Sequence, residues 1–223
     1  MTATQTALTR RKLTTPRAAA IAGILFALLY GASLVLIRSS IPADRAADAS
    51  WLETNSRTVS LALNLVPYAG IAFLWFIGVI RDRMGELEDR LFATVFLGSG
   101  LLFLAMTFVG VALAGGLLDS YAFDKSALLV GGVYTYSRAV MYNIFNIYAI
   151  RMAGLFMISL GTIWLRTGLM HRGWAFLTYT LALVLLLSVS YSMWVPLIFP
   201  GWVLAVSIYL LIINFNQGGT QTR

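Results

Sequence analysis

Hydrophobic residues run along this chain in long continuous stretches that polar segments interrupt. About 20 apolar residues in a helix cross a hydrocarbon core of about 30 Å, and continuous runs favour helices over the alternating strands of a barrel. The pattern therefore predicts an all-α, polytopic membrane helical bundle of six transmembrane helices. These predicted spans, numbered 1 to 6, cover about residues 18–37, 58–80, 91–113, 139–165, 174–191 and 196–214.

The segments outside the spans predict one membrane domain, residues 18–214, with a tail at each end. Residues 1–17 are polar and carry four basic residues without an acid, which is typical of a cytoplasmic tail, and residues 215–223 form the second tail. A signal peptide is the rival interpretation of residues 18–37. That run is longer than a usual signal-peptide core and lacks a clear A-x-A exit, so we interpret it as a retained span.

Lysine and arginine set the predicted orientation, because short cytoplasmic loops carry an excess of both. With both termini inside, ten of the 16 basic residues lie on the cytoplasmic side, five lie outside, and Arg151 lies within span 4. This distribution predicts cytoplasmic N and C termini. The turn between spans 5 and 6 is short and carries no charge, so these two spans could instead form one broken hairpin.

Composition agrees with a lipid environment and narrows the possible partners. The chain is 59% hydrophobic and 11% charged, with a mean hydropathy of +0.81. Its net charge of +7 would suggest nucleic acid in a soluble domain, but these charges sit in short loops and in the N-terminal tail. We expect a multi-pass protein of the cell membrane that meets anionic lipid headgroups at its cytoplasmic face and binds no nucleic acid.

Span 4 carries an arginine near its middle, and no other predicted span holds a charge. On an ideal helix, Asn143, Asn146 and Arg151 fall on one face together with Gly154 and Gly161. A charged side chain at the centre of a membrane helix costs about 2.5 to 3.5 kcal/mol on insertion scales. Arg151 is therefore expected to face the bundle or a wet cavity.

Span 2 offers possible partners for Arg151 at a similar depth. Asn64 and Tyr68 are polar, and Pro67 leaves the carbonyl of Leu63 without its helical donor. We therefore expect spans 2 and 4 to be in contact. Three interpretations stay open: Arg151 staples two kinked helices together, it binds a lipid phosphate or another anion, or it snorkels to an interface.

Small residues recur at every fourth position in span 1. Such a ridge lets another helix approach closely and predicts helix packing. A homo-oligomer or a complex with another membrane protein would use faces of this kind. The ridge consists of Ala19, Gly23, Ala27 and Gly31.

No catalytic or metal-binding pattern occurs in any span. The chain lacks cysteine, and its single histidine, His171, falls in a predicted cytoplasmic turn. The acidic residues at 82–89 have no calcium-loop spacing. We expect no catalytic residue, metal or cofactor, since the usual bases, nucleophiles and metal ligands are missing from the spans. An enzyme would have to assemble its site from acids of the outer loops.

The C-terminal third contains the runs LRTGLMHRGWAFLTYTLALVLLLS, residues 165–188, and PLIFPGWVLAVSIYLL, residues 196–211. These runs resemble the C-terminal part of small bacterial integral membrane proteins of unknown function. The resemblance is one of hydropathy, and it carries over no site residues. It implies a bacterial inner membrane as the setting.

Two functions are compatible with these patterns. The first is a non-enzymatic accessory or scaffold subunit that packs against itself or a partner. The second is a small carrier or channel for an anionic or amphipathic ligand, with Arg151 as the charge in the pathway. The second function predicts a water-accessible cavity that reaches Arg151.

Overall fold

The computed structural model describes residues 15–42, 48–84, 90–168, 170–187 and 194–218, and these residues contain no strand. A π-helical turn, Ile144–Ala149, joins α6 to α7, and a 3₁₀ turn, Val195–Leu197, precedes α9. The α-helices in these residues are α1 Thr15–Ser40, α2 Trp51–Thr54, α3 Ser56–Met84, α4 Arg90–Phe123, α5 Lys125–Val130, α6 Val133–Asn143, α7 Ile150–Thr167, α8 Arg172–Leu187 and α9 Ile198–Gly218.

The all-α prediction is confirmed over the described residues, and five helical segments there are long and apolar enough to cross a membrane. Predicted span 5 corresponds to α8, which has 16 residues and is therefore about 24 Å long, less than a hydrocarbon core of about 30 Å. The five long segments are Ala18–Ser40, Ser56–Arg81, Leu91–Phe123, Val133–Thr167 and Val195–Ile212.

Parts of the predicted topology lie outside the described residues. They are the N-terminal tail up to residue 14, the acidic loop at residues 85–89, the end of span 5 at residues 188–191, and the C-terminal tail after residue 218.

Helix α4 continues ten residues beyond the predicted end of span 3. The sequence predicts a weakly polar segment at 114–137, but α4 runs to Phe123 and α6 begins at Val133. No proline interrupts this stretch, and its residues Ala114 and Leu117 are buried, so the helix gains packing by continuing. With 34 residues, α4 is about 51 Å long and extends well beyond a hydrocarbon core of about 30 Å.

Five helices meet at a cluster of phenylalanine rings in the centre of the bundle. The contacting rings have centroids 4.6 to 6.4 Å apart in tilted and edge-to-face pairs. Pairs of this kind contribute about 0.5 to 1.5 kcal/mol beyond the area they bury. One ring comes from each of α1, α3, α4, α7 and α9; they are Phe26, Phe73, Phe103, Phe156 and Phe199.

Helix α8 packs against α7 where α7 carries two glycines. A Cβ atom on Gly154 would lie 3.2 Å from the carbonyl oxygen of Ala182, and one on Gly161 would lie 3.3 Å from a methyl group of Thr178. The indole N–H of Trp202 in α9 donates to the Thr178 hydroxyl at 2.9 Å. These contacts attach α8 to two neighbouring helices.

A second apolar cluster lies at the end of the bundle that carries α2 and α5, which we call the capped end. It combines residues at the end of α1, the first two residues of α2, the start of α3, the end of α4 and residues of α5 and α6. Trp51 of α2 is only 2% exposed and lies inside this cluster. The members include Ile41, Trp51, Leu52, Val59, Leu63, Ala114, Leu117, Leu128, Tyr134 and Met141.

Helix α1 comes closest to its neighbours at Gly23. A Cβ atom there would lie 2.0 Å from the hydroxyl oxygen of Ser207 in α9 and 2.8 Å from the ring of Phe76 in α3. Ala19 and Ala27 are also buried. At Gly31, by contrast, a Cβ atom would meet nothing within 4 Å. The close approach along the small-residue ridge is therefore concentrated at Gly23.

Gly23→Ala should destabilise the bundle by about 1 to 3 kcal/mol, because its methyl group overlaps Ser207 and Phe76 and a packed core has no room to yield. Gly31→Ala is the matched control and should be neutral or slightly stabilising, since alanine has the higher helix propensity. The free energy of unfolding in neutral detergent, followed by tryptophan fluorescence, measures both. Equal costs at the two glycines would contradict this packing.

Candidate functional site

The predicted polar cluster does not assemble around Arg151. The Nη1 of Arg151 donates to the carbonyl of Ile147, one turn earlier in the same chain segment, at 3.4 Å. Asn64 donates to the carbonyl of Ser60 in its own helix at 2.9 Å, and Tyr68 is 65% exposed. Within the described residues, no hydrogen bond joins Arg151 to α3.

The other predicted members of this cluster also lie apart. Helix α3 continues through Pro67, which is exposed, and Asn143 is exposed on α6. The expected contact between spans 2 and 4 is made by apolar rings, since the centroids of Phe73 and Phe156 are 5.3 Å apart. The polar residues of the two spans take no part in it.

The π-helical turn explains why the predicted stripe on span 4 is divided. A π turn contains about one residue more than an α turn, so the residues after it are rotated by about 100° relative to a continuous α-helix. Asn146, inside the turn, faces Arg38 of α1. Gly154 and Gly161, after the turn, face α8, while Arg151 is half-buried.

Arg138 is buried at the capped end, with only 4% of its surface exposed. Its Nη1 donates to the hydroxyl of Tyr134 at 3.0 Å, and its Nη2 donates to the carbonyl of Pro42 at 2.8 Å. The same hydroxyl accepts from the indole N–H of Trp51 at 3.0 Å and donates to the carbonyl of Asp48 at 2.9 Å. This network fastens α6 to the segment that links α1 and α2.

An exposed ion pair ties α5 to α2. Lys125 Nζ lies 3.2 Å from Glu53 Oε2, and the Tyr121 hydroxyl donates to the same oxygen at 3.1 Å. The hydrogen bonds from Lys125 and Tyr121 hold the pKa of Glu53 below its usual value. The backbone N–H of Ala127 donates to Asp124 at the start of α5 and lowers the pKa of that carboxyl group. Exposed pairs of this kind contribute little stability and serve mainly to orient α5.

Arg38 has few hydrogen bonds to the protein for an arginine that is partly buried. It lies in the last turn of α1, where one Nη donates to the side-chain oxygen of Asn146. Its Nε–H is buried and has no hydrogen-bond partner. A guanidinium group carries five N–H donors and stays charged, so one amide oxygen satisfies only a small part of it.

Two openings meet at Arg38. On the side of the bundle centre is an enclosed cavity that offers about 10 Å³ to the centre of a water molecule, which is room for about one water. On the side of the capped end is an open groove that offers about 320 Å³ by the same measure. The cavity is bordered by Tyr30, Phe145 and Phe199, among others, and the groove by Ser39, Ser50, Thr54 and Asn55, among others.

The groove at Arg38 is bordered by hydrogen-bonding groups of several kinds. Within the described residues, no group of three or more His, Asp or Glu side chains is arranged to bind a metal ion. The groove instead presents a guanidinium group, hydroxyl groups and an amide. The predicted span 1 ends at residue 37, one residue before Arg38, whereas α1 continues to Ser40. The signal that Arg38 belongs to α1 is the absence of glycine or proline between it and Pro42.

Arg138→Gln should lower the free energy of unfolding by about 2 to 4 kcal/mol, because a hydrogen bond to a charged group contributes about 1.5 to 3 kcal/mol and the carbonyl of Pro42 would lose its donor. Arg151→Gln is the matched control and should change it by less than about 1 kcal/mol, since it removes a single long hydrogen bond within one helical segment. Denaturant unfolding in neutral detergent measures both variants. A larger cost for Arg151→Gln would contradict the assignment of Arg138 as the structural arginine.

Comparison with known proteins identifies no relative of this chain. It matches no protein-family model, no curated protein and no solved structure. The chemistry of the capped end therefore follows from its own contacts. Arg138 is hydrogen-bonded within the protein, whereas Arg38 has one hydrogen bond and a buried Nε–H without a partner.

Proposed function

We propose that this protein is a non-enzymatic membrane scaffold that associates with a second copy of itself through the outward face of α3. One observation carries this proposal: the amide of Asn64 lies on that face, within a span, with most of its hydrogen-bonding capacity unused. Polar side chains placed in this way pair across helix interfaces in membranes.

The outward face of α3 is a continuous apolar and aromatic stripe. Trp75 is 66% exposed, and Leu61, Tyr68 and Ile71 are exposed on the same side. Asn64 lies in this stripe, about 10 Å along the helix from Arg57 and about 26 Å from Arg81. With these two arginines at the membrane surfaces, the amide falls within the hydrocarbon.

The chemistry of the amide favours a second copy as the partner. An asparagine side chain has two N–H donors and an acceptor oxygen, and Asn64 uses one donor, on the carbonyl of Ser60. Two copies with the same orientation in a membrane carry this residue at the same depth. Around a two-fold axis along the membrane normal, the two amides would donate to each other.

We infer the finer topology from the distribution of charge and from the length of the segments. Six crossings with both termini in the cytoplasm place the capped end outside and the turn at His171 inside. In this arrangement α8 crosses together with the residues that follow it. The resemblance of residues 165–188 and 196–211 to bacterial membrane proteins supports the inner membrane of a bacterium as the location.

A small carrier or channel is the second candidate function, and it has less support. The five phenylalanine rings fill the bundle centre, so an open path would require large movements of packed side chains. Arg151 lies about 22 Å along α7 from Arg166, close enough to the far surface for its side chain to snorkel. The observation that favours a ligand is the groove and cavity at Arg38, not Arg151.

Asn64→Leu should weaken self-association about threefold to thirtyfold, because an interhelical hydrogen bond in a membrane contributes about 0.6 to 2 kcal/mol. The matched control is Asn143→Leu, which replaces another exposed asparagine on α6 and should leave association unchanged. Energy transfer between donor- and acceptor-labelled copies, titrated against lipid in proteoliposomes, gives the association constant.

Monomers at every protein-to-lipid ratio would contradict the proposal, and so would association that neither substitution changes. Equal weakening by Asn64→Leu and Asn143→Leu would show that the α3 face is not the specific interface.

Single cysteines test the topology cleanly, because the chain contains no native cysteine. In intact cells, a membrane-impermeant maleimide should label Ser126→Cys and Trp194→Cys, and should label His171→Cys only after permeabilisation. This result follows if α8 crosses the membrane between His171 and Trp194. Labelling of Ser126→Cys but not Trp194→Cys in intact cells would instead mean five crossings and opposite sides for the two termini.

A further inference from the structure

Among the residues that the structure describes, no acidic side chain forms an ion pair with Arg38. Among the described residues the only ion pair joins Lys125 and Glu53. Arg38 is bonded by one neutral amide, and its buried Nε–H is bonded by nothing. A guanidinium group withdrawn from water loses hydration energy that a single amide does not restore.

The acids that the structure describes at the capped end do not line the groove at Arg38; Asp119, for example, borders a separate groove beside Asp124. Asp48 accepts from both the backbone N–H and the hydroxyl of Ser50. Glu53 accepts from Lys125 and Tyr121, while Asp124 caps α5. A negative charge for Arg38 therefore has to come from outside these groups.

The groove beside Arg38 has the size and the polarity to receive such a charge. It offers about 320 Å³, which is ample for a phosphate group. Asn55 donates one amide hydrogen to the carbonyl of Ser40 at 2.8 Å, and its second amide hydrogen is free for a ligand. Ser50 and Thr54 line the same groove, but their hydroxyls already donate to Asp48 and to the carbonyl of Ser50, so Arg38 and Asn55 supply the side-chain donors for a ligand. Carboxylate side chains are not among the described borders of the groove.

We propose that Arg38 and the groove between the end of α1 and α2 form a binding site for a phosphate group. The planar fork of a guanidinium group binds two oxygens of a phosphate at once, and Arg38 has donors left to do so. Because Arg38 also borders the cavity in the bundle centre, a bound phosphate fixes the end of α1 against Asn146 of the π-helical turn. This site is independent of the proposed association through α3.

Two sources can supply the same chemistry. Arg38 ends an apolar helix of membrane-spanning length, so the groove lies at the level where lipid phosphates are found. A phosphate group from an anionic phospholipid reaches it from the bilayer, whereas inorganic phosphate reaches it from water. The experiment separates these sources by using each as a probe.

A single cysteine in the groove reports its occupancy. The Thr54→Cys variant is labelled with a maleimide in neutral detergent in the presence of inorganic phosphate, short-chain phosphatidylglycerol, or chloride at equal ionic strength. Phosphate or phosphatidylglycerol should slow labelling at least about threefold at saturation, while chloride should not. Ser126→Cys, which lies on α5 outside the groove, is the control position and should be unaffected by all three.

The second arm tests the role of Arg38. In the Thr54→Cys background, Arg38→Gln should weaken the binding of the protecting probe at least about tenfold, measured as the probe concentration that gives half-maximal protection. The reason is that this substitution removes a charge-assisted contact with two hydrogen bonds. Arg57→Gln, which removes an exposed arginine at the start of α3, should leave protection within about twofold. Should Arg38→Gln lose its helical circular dichroism, Arg38→Lys replaces it. Lysine keeps the charge but lacks the fork, so protection should still weaken severalfold.

Protection by inorganic phosphate would identify a free oxyanion as a ligand, and protection by phosphatidylglycerol alone would identify a lipid headgroup. Both outcomes support the site. The proposal is overturned if neither probe slows labelling, if chloride protects equally, or if the substituted Arg38 variant keeps full protection.

Discussion

The fold depends on the close packing of phenylalanine rings at the centre of the bundle, where five helices meet. Within lipid, an apolar side chain gains little from leaving its surroundings, so close packing has to supply the attraction between helices. Here the five phenylalanine rings supply it, one from each of α1, α3, α4, α7 and α9. Gly23, Gly154 and Gly161 bring backbones close enough for the other contacts to form.

Three arginines show three ways in which the fold treats a positive charge. Arg138 is enclosed and bonded to a hydroxyl and a carbonyl, so it acts as a fastener. Arg151 bonds to the backbone of its own helical segment and is half-buried, which is compatible with snorkelling. Arg38 is held by one amide and borders open space on two sides. Of these three arginines, only Arg38 combines a buried donor that has no partner with adjacent open space.

Much of the helical organisation could be predicted from the sequence, because long apolar runs specify membrane helices by length alone. Helix α1 begins three residues before its predicted start at residue 18. The prediction was least accurate at α4, where a weakly polar stretch continues as helix because it packs into the capped end. The length of α8 could not be judged either, since the apolar run that contains it continues past Leu187.

The candidate site was harder to predict, because it depends on helix rotation and on contacts distant in sequence. An ideal helix places Asn146 and Arg151 on one face, but no residue type in the segment announces the π-helical turn that separates them. The importance of Arg38 follows from its distance to Asn146, 108 positions away in the chain, and single-sequence patterns hold no such information. The sequence therefore drew attention to Arg151, because it is charged within a span, whereas the structure draws attention to Arg38, because of its surroundings.

The capped end gives the molecule a second apolar core, separate from the phenylalanine rings at the bundle centre. Trp51, Leu117 and Leu128 pack together there from three different helices, and Trp51 is only 2% exposed. Helix α1 is fixed at two points, because Phe26 lies in the first core and Ile41, directly after the helix, lies in the second. Arg38 lies between these two points, so the position of its side chain depends on both cores.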